Sequence, residues 1–462
     1  RLEAQPPAPA NPWNLVLYQD GVDPSDGLAK NHSRKCVVFY WTFLELGAAA
    51  LAHEEVWFTI TVVRASLVSR MEGQHVQVAD LVLRSFFDPE GHDILRSGVT
   101  LAMHGCEKTY TVFAKLGVLL GDEPALKEVL ASKGHAGTKP CPLCMNVVQQ
   151  CSPWGGEPLH QHSDYAVSIA ETDCSRFKLH SDESLRATVL KLNGYKGVLS
   201  KPDFELREQL FGFNWTPYSI IANERFRVNV VSSLMFDWSH CYICDGLADS
   251  EFGAFMKRMH TMRSATTYKE LGSYVDAWSL PGRSKLGHYF SESAIKANLK
   301  KGTFNSTASE FLTLAPVLAR YLSKVCLGRR LELPLVRSML AVLAVLEMLQ
   351  AVKRGAVAPE TLRSAIVRHL ELYIEAYGVD AVRPKHHFVH HLPTALARHG
   401  TLLGTLTNER KHRMVKRFAR HRTVLSNWET GTVEDITCQQ LFEISRPFME
   451  SGRTDSKPHP RA

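Results

Sequence analysis

The chain has 462 residues, 45% hydrophobic and 22% charged, with 54 Lys and Arg against 47 Asp and Glu and a formal net charge of +7. This composition excludes a mainly disordered or collagenous chain and supplies enough apolar material for a sizeable core. The length exceeds what one simple core usually holds, so one large domain with a substantial insertion, or two to three packed units, is expected.

Residues 1–12 are rich in Ala and Pro and carry no apolar run, which predicts a disordered leader without a secretion signal. Residues 14–18 (NLVLY) read as a strand that gives out at Asp20-Gly21, and turn residues Asp23, Pro24, Ser25, Asp26 and Gly27 follow. Two more runs dominated by β-branched and aromatic residues, 36–42 and 56–64, predict a three-stranded antiparallel opening. A helix and then a loop through Asp88, Pro89 and Gly91 are expected within 76–101. Residues 109–120 form another strand-like run ending in Gly121-Asp122, after which Pro124 opens a helix over 125–132. Asp20 and Asp122 thus both stand where a strand ends.

Beyond residue 146 the apolar spacing turns helical, most clearly over 249–262, 308–326, 336–353 and 359–377, predicting a mainly helical insertion across 147–380. The most apolar stretch, 331–352, is interrupted by Arg337 and Glu347 and reads as a buried helix rather than a membrane span. A last helix is expected over 408–418, with Asn408 as its cap and Glu409 in its first turn. The polar tail 451–462 is expected to be disordered. No repeat of solenoid period is visible.

The ten cysteines comprise scattered singles and two CxxC pairs, a usage that favours a reducing compartment and metal ligation over disulfides. Cys141-Pro-Leu-Cys144 has the spacing of a zinc knuckle, half of a tetrahedral site. The other half is found in Pro384-Lys385-His386-His387-Phe388-Val389-His390-His391. His387 and His391 are i, i+4 and share a helix face; His386 with His391 offers an i, i+5 variant, and His390 sits beside them. Asp237, His240, Cys241 and Cys244 form a second cluster that reads equally as buried thiols and as ligands. From Arg410 to Arg422 seven basic residues occur with no acid among them, either a solvated helix face or a surface for a polyanion. Asp20, Asp122 and Glu409 supply three carboxylates, the donor set that holds two divalent cations about 4 Å apart and clamps both oxygens of an in-line displacement at phosphorus. No GK[ST] phosphate loop, GxSxG elbow or HExxH helix is present, which disfavours a P-loop ATPase, a serine hydrolase and a zinc protease.

Five blocks carry a resemblance: Asp20-Gly21, GDEPALKEVLASKGHAGTKPCPLC from Gly121 to Cys144, FDWSH around Asp237 and His240, PKHHFVHHL from Pro384, and ERKHRMVKRF from Glu409. In this order they resemble the DDE transposases of the CACTA (En/Spm-like) group and the related catalytic core of the recombination-activating recombinase. The resemblance implies an α/β, RNase H-like core, a mixed sheet flanked by helices. Its first part would occupy 13–146 with the CxxC pair, the helical insertion 147–380, and the zinc-binding His segment and final catalytic helix 381–450. It further implies Asp20, Asp122 and Glu409 as ligands of two catalytic Mg²⁺ ions, and Cys141, Cys144, His387 and His391 as ligands of one structural Zn²⁺. Arg410, Lys411, Arg413, Lys416 and Arg417 would hold the DNA backbone. The implied activity is Mg-dependent nicking and strand transfer in the nucleus, on double-stranded DNA at transposon ends and target, by a homodimer with no membrane partner. Two rival expectations are an inactive transposon-derived, zinc-containing DNA-binding protein and a zinc-stabilised helical interaction scaffold.

Overall fold

The computed structural model describes residues 5–24, 35–102, 108–149, 165–261, 268–280, 286–304, 306–422 and 426–445. The expected tail 451–462, residues 1–4 of the expected leader, and Cys106 and Cys151 lie outside them. The chain is mixed α/β. Its strands are β1 (Trp13–Val22), β2 (Cys36–Phe43), β3 (Phe58–Arg64), β4 (Val99–Ala102), β5 (Thr109–Val112), β6 (Ala114–Gly121), β7 (Val147–Val148), β8 (Val167–Ser168) and β9 (Leu234–Phe236). Five of them form one mixed sheet in the order β3-β2-β1-β6-β9. Two compact units divide the chain: residues 1–119, 224–226 and 407–462 in the first, and 120–223 with 227–406 in the second.

In the first unit, β1 pairs antiparallel with β2, Asp20 standing opposite Val38, and β2 pairs antiparallel with β3. Leu15, Val16 and Leu17 are consecutive and all fully buried, so both faces of β1 are covered, which explains its unbroken apolar run. β6 approaches so closely that a Cβ on Gly117 would lie 2.2 Å from the Asn14 Cβ, leaving room only for glycine. The run 109–120, expected as one strand, is divided at Phe113: β5 pairs with β4, while the Phe113 carbonyl accepts from the Trp13 amide at 2.8 Å. Trp41 of β2 meets Phe86 of the helix Gln74–Phe87 edge-on at 5.5 Å. The helix Trp428–Ser445 lies along β3, fixed by the Arg64–Glu429 ion pair at 2.6 Å and by Gln440 donating to the Trp57 carbonyl at 2.9 Å.

In the second unit the residue after β9, Asp237, donates its amide to the Gly121 carbonyl at the end of β6 at 2.9 Å, β9 being the hydrogen-bonded neighbour of β6. Helices then dominate. Leu333–Val352 and Pro359–Tyr377 pack as a hairpin, with Leu247–Thr261 against the first of them. Leu333–Val352 is 20 residues long and apolar enough to cross a membrane by length and composition, yet ten of its residues, Ser338 among them, are buried within the unit. Ser338 donates to Glu251 at 2.6 Å, and the other Glu251 oxygen meets His369 at 2.7 Å, both His369 and Glu251 being 1% exposed. One side chain from each of the three helices thus joins a closed polar network, which fixes their register because a slipped helix would strand a buried charge.

Candidate metal centres

The CPLC turn is held in place from both sides. His180 donates its backbone amide to the Leu143 carbonyl at 2.9 Å, Met145 donates to Lys178 at 2.8 Å, and buried Asn146 staples the carbonyls of Tyr165 and Arg176 and the Lys178 amide. Opposite it, Pro384–Phe388, a tighter turn Val389–His391, and Leu392–His399 form one continuous helical path. The tightening has a covalent cause. Pro393 has no N–H for the Val389 carbonyl, which instead accepts from Leu392.

This path aims His387 and His391 at the cysteines. The His391 Nε2 lies 3.2 Å from the Cys141 Sγ and 3.5 Å from the Cys144 Sγ; the His387 Nε2 lies 3.3 Å from the Cys144 Sγ and 3.3 Å from the His391 Nε2. Ligand atoms on one tetrahedral zinc with bonds of about 2.0–2.3 Å stand roughly 3.3–3.8 Å apart, so the four donors fit a single ion. All four residues are buried, and together they form a cluster able to hold a metal such as zinc. Burial raises the Cys141 thiol, but Cys144 and the two imidazoles outweigh it and hold Cys141 well below the usual thiol range. Burial, then Cys141, pushes Cys144 up. Burial also lowers His387, keeping its ring neutral as ligation requires. The neighbouring histidines have other partners. His386 bonds back to the Arg383 amide at 3.1 Å and packs 4.3 Å from the Tyr373 ring, burial pushing it down to about 3. His390 meets Cys174 at 3.3 Å.

Asp122, also in the second unit, caps the helix Glu123–Leu130, its Oδ1 accepting from the Ala125 amide at 2.8 Å. Burial raises its carboxyl, the Ala125 N–H and His240 lower it, and Asp237 raises it. Asp237, fully buried, caps the helix Trp238–Tyr242 through Ser239 and also accepts from Thr405 and His240. Burial would raise it, but those hydrogen bonds hold it below the usual carboxylate range. Lys385 donates to the carbonyls of His240 at 3.0 Å and Asp245 at 2.8 Å. Cys241 is buried and pushed up to about 12 by that burial, and Cys244 is half-buried.

In the first unit Asp20, at the end of β1, and Glu409 come together with His412, a residue that sequence reasoning passed over. One donor atom from each lies within 4.8 Å of the others. Tyr18 donates to the Asp20 Oδ2 at 2.6 Å, and the Gly21 amide donates to Oδ1 at 2.6 Å. The helix here begins at Leu406, so Asn408 is not its cap; it is fully buried in the first turn. Thr407, Asn408, Lys411, His412, Val415 and Ala419 face inward, and Glu409, Arg410, Arg413, Lys416, Arg417 and Arg420 are exposed. Lys411, expected among the contacts to the DNA backbone, is buried on the inner face. Its apolar stem follows the buried face, its ammonium donates to the Glu54 carbonyl at 3.1 Å, and burial lowers it to about 8. The signal for His412 was its i+3 spacing from Glu409 on one helix face. No protein-family model matches this chain, and no curated protein matches it.

Proposed function

We propose that this chain is the catalytic region of a DDE-type DNA transposase of the CACTA kind, built on an RNase H-like core. It acts in the nucleus on double-stranded DNA. The observation that carries the reading is the helix Leu406–His421: it brings Glu409 to Asp20, and its exposed face continues as Arg410, Arg413, Lys416 and Arg417, a run of cations leading away from a carboxylate pair. Carboxylates beside a cationic stripe suit a phosphodiester substrate, whose backbone the arginines neutralise without reading bases. Magnesium held by Asp20, Asp122 and Glu409 would supply Lewis-acid activation of water and of a DNA 3′-hydroxyl. The protein's own part is to hold the carboxylates: Tyr18 and the Gly21 amide orient Asp20, and the Ala125 amide orients Asp122. Zinc on Cys141, Cys144, His387 and His391 would have a folding role and would not touch the substrate.

The test is nicking of supercoiled double-stranded DNA with Mg²⁺ by the wild type, Asp20→Asn and Glu409→Gln. Loss of nicking in both variants, with folding retained, supports the assignment, and unchanged nicking overturns it. A second reading, a transposon-derived DNA-binding protein without catalysis, is favoured by one observation: Asp122 is already engaged as a helix cap. Salt-dependent DNA binding with no metal-dependent nicking by the wild type identifies that case. Binding insensitive to salt would instead favour the helical interaction scaffold.

A further inference from the structure

His412 is an odd residue to bury where it is. It is 6% exposed, and its Nε2 has no hydrogen-bond partner, the nearest acidic oxygen, Asp20 Oδ2, standing 3.6 Å away. Its Nδ1 lies 3.3 Å from the Glu409 Oε2. An unmatched buried polar atom costs about 1–3 kcal/mol, so something should occupy the space it faces. The ring has little freedom to turn elsewhere. It stacks on Tyr40 with centroids 5.7 Å apart, and Tyr40 in turn stacks on Tyr18 at 6.1 Å, its cross-strand partner in β1. Tyr18 is the residue that orients Asp20. One aromatic column thus fixes the imidazole and the carboxylate together.

We infer that Asp20, Glu409 and His412 form a three-ligand site for a divalent cation, with one imidazole nitrogen of His412 as the nitrogen ligand. This deepens the reading above, in which only carboxylates hold the catalytic ions, and it rests on that reading solely for the use of the ion. The donor atoms already lie within 4.8 Å of one another, and two ligands on one octahedral ion with bonds of about 2.1 Å stand at most about 4.2 Å apart. A closure of about half an ångström is enough, and Glu409, whose side chain is 42% exposed, has room to make it. A set of two carboxylates and one imidazole selects Mn²⁺ over Mg²⁺ and Ca²⁺, which prefer oxygen throughout. All three ligands belong to one unit, so the site forms without Asp122.

The experiment is Mn²⁺ titration of the full chain, with zinc bound so that the Cys2His2 cluster is filled. Binding is followed by electron paramagnetic resonance, and electron spin echo modulation detects nitrogen on the ion. The wild type binds Mn²⁺ on the order of tenfold more tightly than Mg²⁺ and shows coupling to one imidazole nitrogen. His412→Gln loses that coupling and about tenfold in Mn²⁺ affinity, and Asp20→Asn loses binding. Bound Mn²⁺ with no nitrogen coupling in the wild type, or no Mn²⁺ binding at all, overturns the inference without recourse to any variant. Coupling without DNA nicking would sink the transposase reading and leave the site standing; nicking without coupling would do the reverse.

Discussion

Asp122 shows how one carboxylate can cap a helix and still be a charge held at a cost. As the N-cap of Glu123–Leu130 it satisfies an amide that the helix itself leaves without a partner, and Asn at such a position caps as well as Asp. Burial, offset in part by the Ala125 amide and by His240, raises its carboxyl above the ordinary value of 3.8. A carboxylate with a raised folded pKa is a charge the fold holds at a cost. That cost is present above the folded pKa and absent below the unfolded one. In a chelating buffer at about pH 7.5, Asp122→Asn should therefore melt at or above the wild-type temperature, its advantage shrinking as the pH falls toward the ordinary carboxylate value. Asp122→Ala also removes the charge but loses the cap, about 1 kcal/mol, and should fall below the Asn variant at every pH. If Asn and Ala melt together at about pH 7.5, the cap contributes nothing and Asp122 is held in place by other contacts.

At the scale of elements, the CPLC turn and the helical path from Pro384 to His399 meet across more than two hundred residues of chain, with only a few side chains to fix the contact. Protein purified without chelator should carry about one zinc per chain, and Cys144→Ser should lose it and unfold at lower temperature. Zinc retained by that variant, or none in the wild type, would contradict the ligand set. Half of this site was legible in the sequence, because two thiolates in one tight turn and two imidazoles at i, i+4 are local geometry. The choice among four histidines was not fully local. In the fold Arg383 and Tyr373 engage His386, Cys174 takes His390, and His387 and His391 are the two that meet the cysteines. His412 was hidden for a similar reason: it lies inside a run of basic residues, and only the fold shows that it turns inward, onto Tyr40 and toward Asp20. β9, with three residues, is too short to register as a strand until Gly121 is there to accept from its end.

For the whole molecule, a net charge of +7 is a weak guide to partners, because what matters is which cations reach the surface together. The helix Leu406–His421 sorts its own basic residues, leaving Arg410, Arg413, Lys416 and Arg417 exposed and drawing Lys411 into the core. That sorting makes the polyanion reading testable with an internal control. If the exposed residues neutralise phosphates, each releases counterions from the DNA, and log K falls with log salt by about 0.9 per contact. Replacing Arg413, Lys416 and Arg417 by Gln should flatten the slope by up to about 2.7, and it should do so equally on DNA of any sequence, since backbone contacts carry no base information. Lys411→Met removes the same unit of charge from the same helix, yet its ammonium is turned to the Glu54 carbonyl and not to solvent, so the slope should stay as in the wild type. A triple variant with an unchanged slope would return this face to an ordinary solvated helix. A Lys411→Met variant that flattens the slope as each exposed substitution does would mean that the ammonium leaves the core to meet the DNA.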